Sequence, residues 1–410
     1  MIKFMLVFLL MMFLIGSLIF FVVKPAAKKV IYSFDFSSDP AKAGWVYKPS
    51  KGEGTMVYIE SEGWHKDKGE MWISPKIPLP DRPFGFYRLR FQSKAEEKGY
   101  YAIFYYDSND KFAVADDYGT IEKSKEWVQN DVIFRGREDT KTITINFRNK
   151  KPVSVKDLSL WPISIKEAAF HQDRLYATLP PLDFNAPTNR WKYLPKTMEA
   201  LQKGKVLRIV MLGDSIINDT NNSNWDALLS RLYPKAKIQI ICSVRSSTGC
   251  RYYYQDEKFK SYVKDLNPDL LIIGGISNGT KVTDLKYMRT VIEKAREQVG
   301  CEIMVMSGPV STDFRKRDEN NPDQALPKQV PSTSPDKWPG PSPFYQGMEE
   351  MCKEMKVEYL DMYTPWHQYI GASEKPYMWF HRDVFHANDR GKQILGRMLE
   401  VYFSPKESNK

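Results

Sequence analysis

The sequence predicts an α/β fold in two parts. An all-β, jelly-roll-like sandwich precedes a three-layer α/β/α domain on a parallel sheet, with an apolar segment ahead of both. Three observations carry this. Val206 to Leu212 is an apolar run broken only by Arg208, as in a strand buried on both faces, and helix-length and strand-length stretches alternate after it. The chain before it alternates apolar and polar residues over short runs separated by turn signals. Its first residues after Met1-Ile2-Lys3 are almost wholly apolar.

In chain order, the apolar segment comes first. Phe4 to Val23 is uncharged and closed by Lys24, Lys28 and Lys29. About 20 apolar residues suffice to span a bilayer, and a cleaved signal usually carries a shorter apolar core. Residues 1–29 are therefore read as a transmembrane anchor or a signal segment. Positive charge flanks both ends, so the positive-inside rule sets no orientation. Either reading makes the rest of the chain exported, membrane-anchored or secreted, to the periplasm or beyond the cell.

The 410 residues carry a net charge of +10, from 60 basic and 50 acidic residues, without a concentrated basic block or nucleic-acid motif. Nucleic acid is thus not an expected partner. Four cysteines are too few for a disulfide scaffold; Cys242 and Cys250 flank one loop, either as a pair in an oxidising compartment or as free thiols.

Residues 30–165 read as the sandwich. Tyr87-Arg88-Leu89-Arg90-Phe91 alternates apolar with charged, Thr142 to Phe147 repeats the pattern, and Tyr100 to Tyr106 is aromatic-rich. Asp81-Arg82-Pro83 and Asp107-Ser108-Asn109-Asp110 mark turns. Trp45, Trp64, Trp72 and Trp127 are either core residues or platforms for sugar rings. Residues 166–204 read as a linker, extended around Pro180-Pro181 and Pro187, with a helix over Pro195–Lys203.

Residues 205–410 form the α/β domain. Strands are expected at Val206–Leu212, Lys237–Cys242, Leu270–Ile273, Ile303–Met306 and Val357–Leu360. Helices are expected at Trp225–Leu232, Phe259–Leu266, Leu285–Gln298, Tyr345–Met355 and Asp389–Phe403. That alternation gives right-handed βαβ units and a sheet covered on both sides. A proline-rich loop runs from Thr312 to Pro343.

Chemistry concentrates at the strand ends. Gly213-Asp214-Ser215 closes the first buried strand, where open α/β sheets place ligands. A nucleophilic serine needs a base, a group to orient that base and donors for an oxyanion. Asp383 and His386, three apart in a loop ahead of the final helix, can share one turn, so that the carboxylate orients the imidazole. His381 and His367 lack an acidic residue three positions earlier.

Together these residues resemble the SGNH/GDSL hydrolase family over roughly Lys205 to Phe403. Gly213-Asp214-Ser215 matches its first block and Asp383-x-x-His386 its last. The resemblance implies an SGNH-type sheet with Ser215, His386 and Asp383 as the catalytic triad. The second block's oxyanion glycine falls on Gly249, and the third block's asparagine on Asn278, one residue further along than usual. The Ser215 N–H is the remaining oxyanion donor. Arg245 and Asn218, the latter within Asn218-Asp219-Thr220-Asn221-Asn222, are either substrate contacts or loop hydrogen-bonding residues. Neither metal nor other cofactor is implied.

Export and the sandwich favour a carbohydrate esterase, taking O-acetyl or similar groups from an acylated polysaccharide or oligosaccharide through a seryl ester. The alternatives are an O-acyltransferase on a cell-surface glycan, which uses the same residues, and a non-catalytic glycan-binding protein.

Overall fold

The computed structural model describes residues 29–49, 56–59, 63–66, 70–112, 117–149, 153–275, 282–309, 341–383 and 385–406. The apolar segment Phe4–Val23, Asn278, the side chain of Trp64 and the loop 312–340 lie outside what is described. Among the described residues no helix is long and apolar enough to cross a membrane.

The β region forms two antiparallel sheets from strands β1 (Tyr32–Phe34), β2 (Val46–Pro49), β3 (Met56–Ile59), β4 (Gly63–Lys66), β5 (Glu70–Ile73), β6 (Ile77–Pro78), β7 (Phe86–Ala95), β8 (Gly99–Tyr106), β9 (Asp117–Ile121), β10 (Ser124–Arg135), β11 (Thr142–Asn149) and β12 (Val153–Ile163). One sheet runs β10-β7-β12-β4-β3, with β1 on β12; the other runs β2-β5-β11-β8-β9, with β6 on β11. The period of two decides what faces the core. Along β7, Leu89, Phe91 and Ala95 are buried while Arg88, Arg90, Gln92 and Lys94 stay partly exposed. Trp45 and Trp72 are core residues, packed with Phe36 and Phe147. Trp127 keeps some exposure, with the Lys156 ammonium 4.3 Å from its ring centroid.

The stretch expected to be an extended linker opens instead with helix α1 (Ile165–Tyr176). Its cause is local: Ser164 and Glu167 form a capping box, each satisfying a backbone donor of the other's turn. Helix α2 (Pro195–Lys203) follows, started by a proline in its first turn and stopped by Gly204 at φ 71°.

The parallel sheet comprises β13 (Val206–Gly213), β14 (Lys237–Val244), β15 (Leu270–Ile273), β16 (Glu302–Met306) and β17 (Glu358–Leu360), in the order β14-β13-β15-β16-β17. Its helices are α3 (Ser215–Asn221), α4 (Trp225–Leu232), α5 (Cys250–Tyr253), α6 (Asp256–Tyr262), α7 (Leu285–Gln298), α8 (Pro343–Met355), α9 (Tyr363–Ala372) and α10 (Asp389–Phe403). Alternate residues of one strand feed two separate cores. Leu207, Ile209 and Met211 join the cluster under α4 and α10, whereas Val210 and Leu212 join that under α7 and α8. The continuous apolar run is thus the signature of three layers. Arg208, which interrupts it, is paired with Glu138 of the sandwich at 2.7 and 3.0 Å.

The two parts meet over a buried junction. Phe86, Ile133 and Ile163 pack with Ala168 and Ala169 of α1 and Ala227 and Leu228 of α4. Two nearly dry ion pairs flank it: Arg135 with Asp226 at 2.5 Å, and Lys392 with Asp117 at 3.0 Å.

Candidate active site

Ser215 begins α3 directly after β13, the strand at which the order 2-1-3-4-5 reverses direction. That is the topological switch point, where backbone groups at strand ends splay apart and leave a crevice. Asp214 caps the helix, its carboxylate accepting the Ile216 N–H at 2.9 Å. The turn needs glycine opposite it. A Cβ on Gly213 would lie 2.1 Å from the Gly274 carbonyl oxygen. One on Gly275, whose φ is +101°, would lie 2.3 Å from Asp214 Oδ1. The Tyr253 hydroxyl donates to the Gly213 carbonyl at 2.6 Å and accepts the Arg245 N–H at 2.9 Å, bracing the same strand end.

The partners of Ser215 arrive from the loop ahead of α10. His381 and Ala387 bridge its ends, and the Arg382 N–H donates to the His386 carbonyl at 2.9 Å. Within it, Asp383 Oδ1 accepts the N–H groups of Phe385 and His386, each at 2.9 Å. Both Asp383 oxygens lie 2.8 Å from His386 Nδ1, and His386 Nε2 lies 2.8 Å from Ser215 Oγ. With Nδ1–H donated to the carboxylate, Nε2 is left as the acceptor of the Ser215 proton.

The electrostatics follow. Burial by itself penalises the His386 imidazolium, but the Asp383 hydrogen bond and the Asp219 and Asp383 charges prevail and hold its pKa above the ordinary 6.5. Burial likewise works to raise Asp383, yet His386 and two backbone donors bring it well below the ordinary 3.8. The pair is therefore built to stabilise an imidazolium next to the serine.

Two residues hold this loop: Asp219, from the segment read as substrate contact or loop hydrogen bonding, and Arg382, to which the sequence assigned no role. Asp219, one turn beyond Ser215 on α3, accepts from Arg382 Nη1 at 2.7 Å and from the Ala387 N–H at 3.0 Å. Arg382 also donates to the Ala387 carbonyl at 2.8 Å. Asp219 and Arg382 are 2% and 7% exposed. Ser215 and Asp219 are four apart on one helix, so they share a face, and Asp219 ties the helix that begins with Ser215 to the loop that carries His386. The four-residue spacing was the available signal; the partner 163 residues away was not.

The other expected residues are placed as follows. Gly249 is buried, at the N-cap of α5. Asn278 lies outside the described residues. Arg245 is exposed at the end of β14, its guanidinium 4.6 Å from the Tyr252 ring centroid. Asn218 is buried, and its Oδ1 accepts from Cys242 Sγ at 3.3 Å, a structural hydrogen bond that matches the second of the two readings of this segment. All four cysteines are free thiols. His381 and His367 are buried among aromatic rings, and burial lowers each pKa to about 3. A polar cavity of about 250 Å³ at the junction is lined by Thr120, Asn130, His171, Asn222 and Gln393, without Ser215, Asp383 or His386 in its wall. Among the described residues no group of three His, Cys, Asp or Glu side chains is arranged to hold a metal ion.

No family model and no curated protein matches the sequence. By structure, the chain is similar to a two-domain esterase (CEX) active on acetylated mannans, co-crystallized with mannopentaose. The identity is 13% and the TM-score 0.40, over 53% of this chain and 54% of that one, so it spans about half of that protein's length. It is also similar to the CBM22-1 xylan-binding domain of Paenibacillus barcinonensis Xyn10C, at 11% identity and TM-score 0.27, over 34% of this chain and 97% of that domain. Likeness at these levels is too distant to assign an activity, which must be read from the side chains themselves.

Proposed function

We propose that the chain is a serine esterase of the SGNH type that removes O-acetyl or similar acyl groups from a carbohydrate. The observation that carries this reading is the unbroken hydrogen-bonded line from Ser215 through His386 to Asp383, at 2.8 Å per link. His386 Nε2 takes the Ser215 proton as Oγ attacks the ester carbonyl, and Asp383 stabilises the imidazolium. The Ser215 and Gly249 N–H groups and the Asn278 amide are the proposed donors to the oxyanion, each worth roughly 10²–10³ in rate. As the tetrahedral intermediate collapses, the carbonyl carbon loses its bond to the sugar oxygen, which receives the proton from His386. Water, deprotonated by the same imidazole, then releases the acid and restores Ser215.

The sugar substrate rests on a different feature. The outer face of the second sandwich sheet carries a run of rings: Tyr118, Phe104, Phe112 and Tyr106, with neighbouring centroids 5.3–6.2 Å apart and Phe112 44% exposed. Partly exposed rings offer apolar faces on which sugar C–H faces stack. The proposed setting is an exported chain, held at a membrane by its N-terminal segment or secreted.

The test is hydrolysis of p-nitrophenyl acetate by the chain and by Ser215→Ala. The parent should turn over, and the variant should fall to background with an unchanged melting curve. Equal rates from both would sink the assignment of Ser215. Turnover by the parent would be followed by acetate release from acetylated polysaccharides.

A further inference from the structure

We propose that the β-sandwich is a working part of the active site, with Lys98 and Tyr100 as positioning residues for the loop that carries Asp383 and His386. This rests on the serine-esterase reading above. The loop lies in neither sheet nor helix; it is bridged within itself between His381 and Ala387, and bonds from two sides add to that. From the α/β side these come from Asp219, to Arg382 and Ala387. From the opposite side they come from the sandwich. Lys98 Nζ donates to the His381 carbonyl at 2.7 Å and reaches the Met378 carbonyl at 3.5 Å. The Tyr100 hydroxyl donates to the Arg382 carbonyl at 3.2 Å. Those two carbonyls belong to the residues immediately before Asp383.

Neighbouring contacts lock the same strand pair in place. The Tyr101 hydroxyl lies 3.3 Å from both Asp389 carboxylate oxygens, and the Tyr118 ring centroid lies 5.3 Å from the Arg382 guanidinium. Lys392 reaches the Tyr118 carbonyl as well as Asp117. The loop is therefore clamped between α3 on one side and β8–β9 on the other. Lys98 is the informative member. The residue is only half-buried, yet its ammonium is directed at backbone carbonyls rather than left in water. Here the ammonium is spent on loop carbonyls, the nearer one just two residues from Asp383.

Misplacing a reacting group by about 1 Å can cost on the order of 10²-fold in rate. The experiment uses the full chain and p-nitrophenyl acetate, a substrate too small to need the sandwich for binding. The variants are Lys98→Ala/Tyr100→Phe, Lys98→Arg and, as a junction control away from the loop, Glu138→Gln, which weakens the Arg208 pair. The double variant should lose about 10- to 100-fold in kcat per folded molecule with KM nearly unchanged. Lys98→Arg, which keeps a cationic donor, should recover most of that loss, and Glu138→Gln should keep the parental kcat. A double variant with parental kcat overturns the proposal, as does a loss that vanishes on division by the folded fraction. So does a loss matched by Glu138→Gln. If the parent itself is inactive, the esterase reading fails and this proposal with it; an active parent beside an equally active double variant removes only the positioning role.

Discussion

Replacing Asp219 by Asn removes one charge from a pair that is almost dry, Asp219 and Arg382 being 2% and 7% exposed with 2.7 Å between them. Breaking such a pair from one side typically costs about 3–5 kcal/mol, because the remaining ion stays buried without a counter-charge. Asn retains one amide oxygen, able to serve either Arg382 or the Ala387 N–H but not both, which places the cost near the lower end, about 3 kcal/mol. For a domain of this size that lowers the melting temperature by about 6–12 °C. Catalysis should suffer separately. Asp219 fixes the loop on which His386 sits, and its charge helps raise the His386 pKa. Asp219→Asn should therefore lower kcat by about 10- to 100-fold and move the acid limb of the rate profile to lower pH. Calorimetry and a pH series with p-nitrophenyl acetate read both effects. The double variant Asp219→Leu/Arg382→Met, which leaves no lone charge, should be more stable than the single one. A melting temperature within about 2 °C of the parent, with the acid limb in its original place, would refute the clamp.

Because the His386 pKa is held above 6.5 and the base must be neutral, kcat/KM should fall about tenfold per unit as pH drops through that pKa. An acid limb centred below pH 6 would contradict the Asp383–His386 pairing. Gly275→Ala places a Cβ 2.3 Å from Asp214 Oδ1 at φ +101°. Backbone strain alone should cost about 1–3 kcal/mol, read by urea unfolding, with esterase activity falling as the nucleophile turn shifts. His381, buried with its pKa lowered to about 3, must charge on unfolding once pH is below 6.5. It thus supports stability above pH 6.5 and withdraws that support as pH falls toward 3, at about 1.4 kcal/mol per unit. Asp117, raised to about 6 by burial against the pull of Lys392, acts with the opposite sign below pH 6. The difference in slope between the parent and His381→Phe isolates the histidine; equal slopes would show that His381 is charged in the folded state.

Much of the α/β domain was legible because its signals are local. Leu270–Ile273, Trp225–Leu232, Leu285–Gln298 and Asp389–Phe403 lie where periodicity and capping placed them. Amphipathic period is a property of consecutive residues, and each such segment carries its own record of which face is buried. Helix α1 leaves a local trace too, in Ser164 and Glu167, but the prolines that follow it favour an extended chain.

Asp383 and His386 were legible for a related reason: three residues apart, they meet within one turn whatever surrounds them. The distance from His386 to Ser215, 171 residues earlier, was only implied by strand order, and the parallel sheet realises it by bringing the end of its first strand and the loop ahead of its last helix to one crevice. Asn218 and Asp219 show the limit. Adjacent and both polar, they differ in role because successive helix positions turn by about 100°, which sends Asn218 down to Cys242 and Asp219 across to Arg382.

By itself, then, the sequence determined the layers, the strand that ends in Ser215 and the turn that joins Asp383 to His386, since each depends on neighbours in the chain. Only the tertiary structure decided what holds that turn in place: Asp219 and Arg382 from within the domain, Lys98 and Tyr100 from the sandwich. A buried ion pair or a carbonyl bond between segments 163 to 283 residues apart leaves no periodic trace. It exists because packing removes water from both partners at once, and that event belongs to the fold.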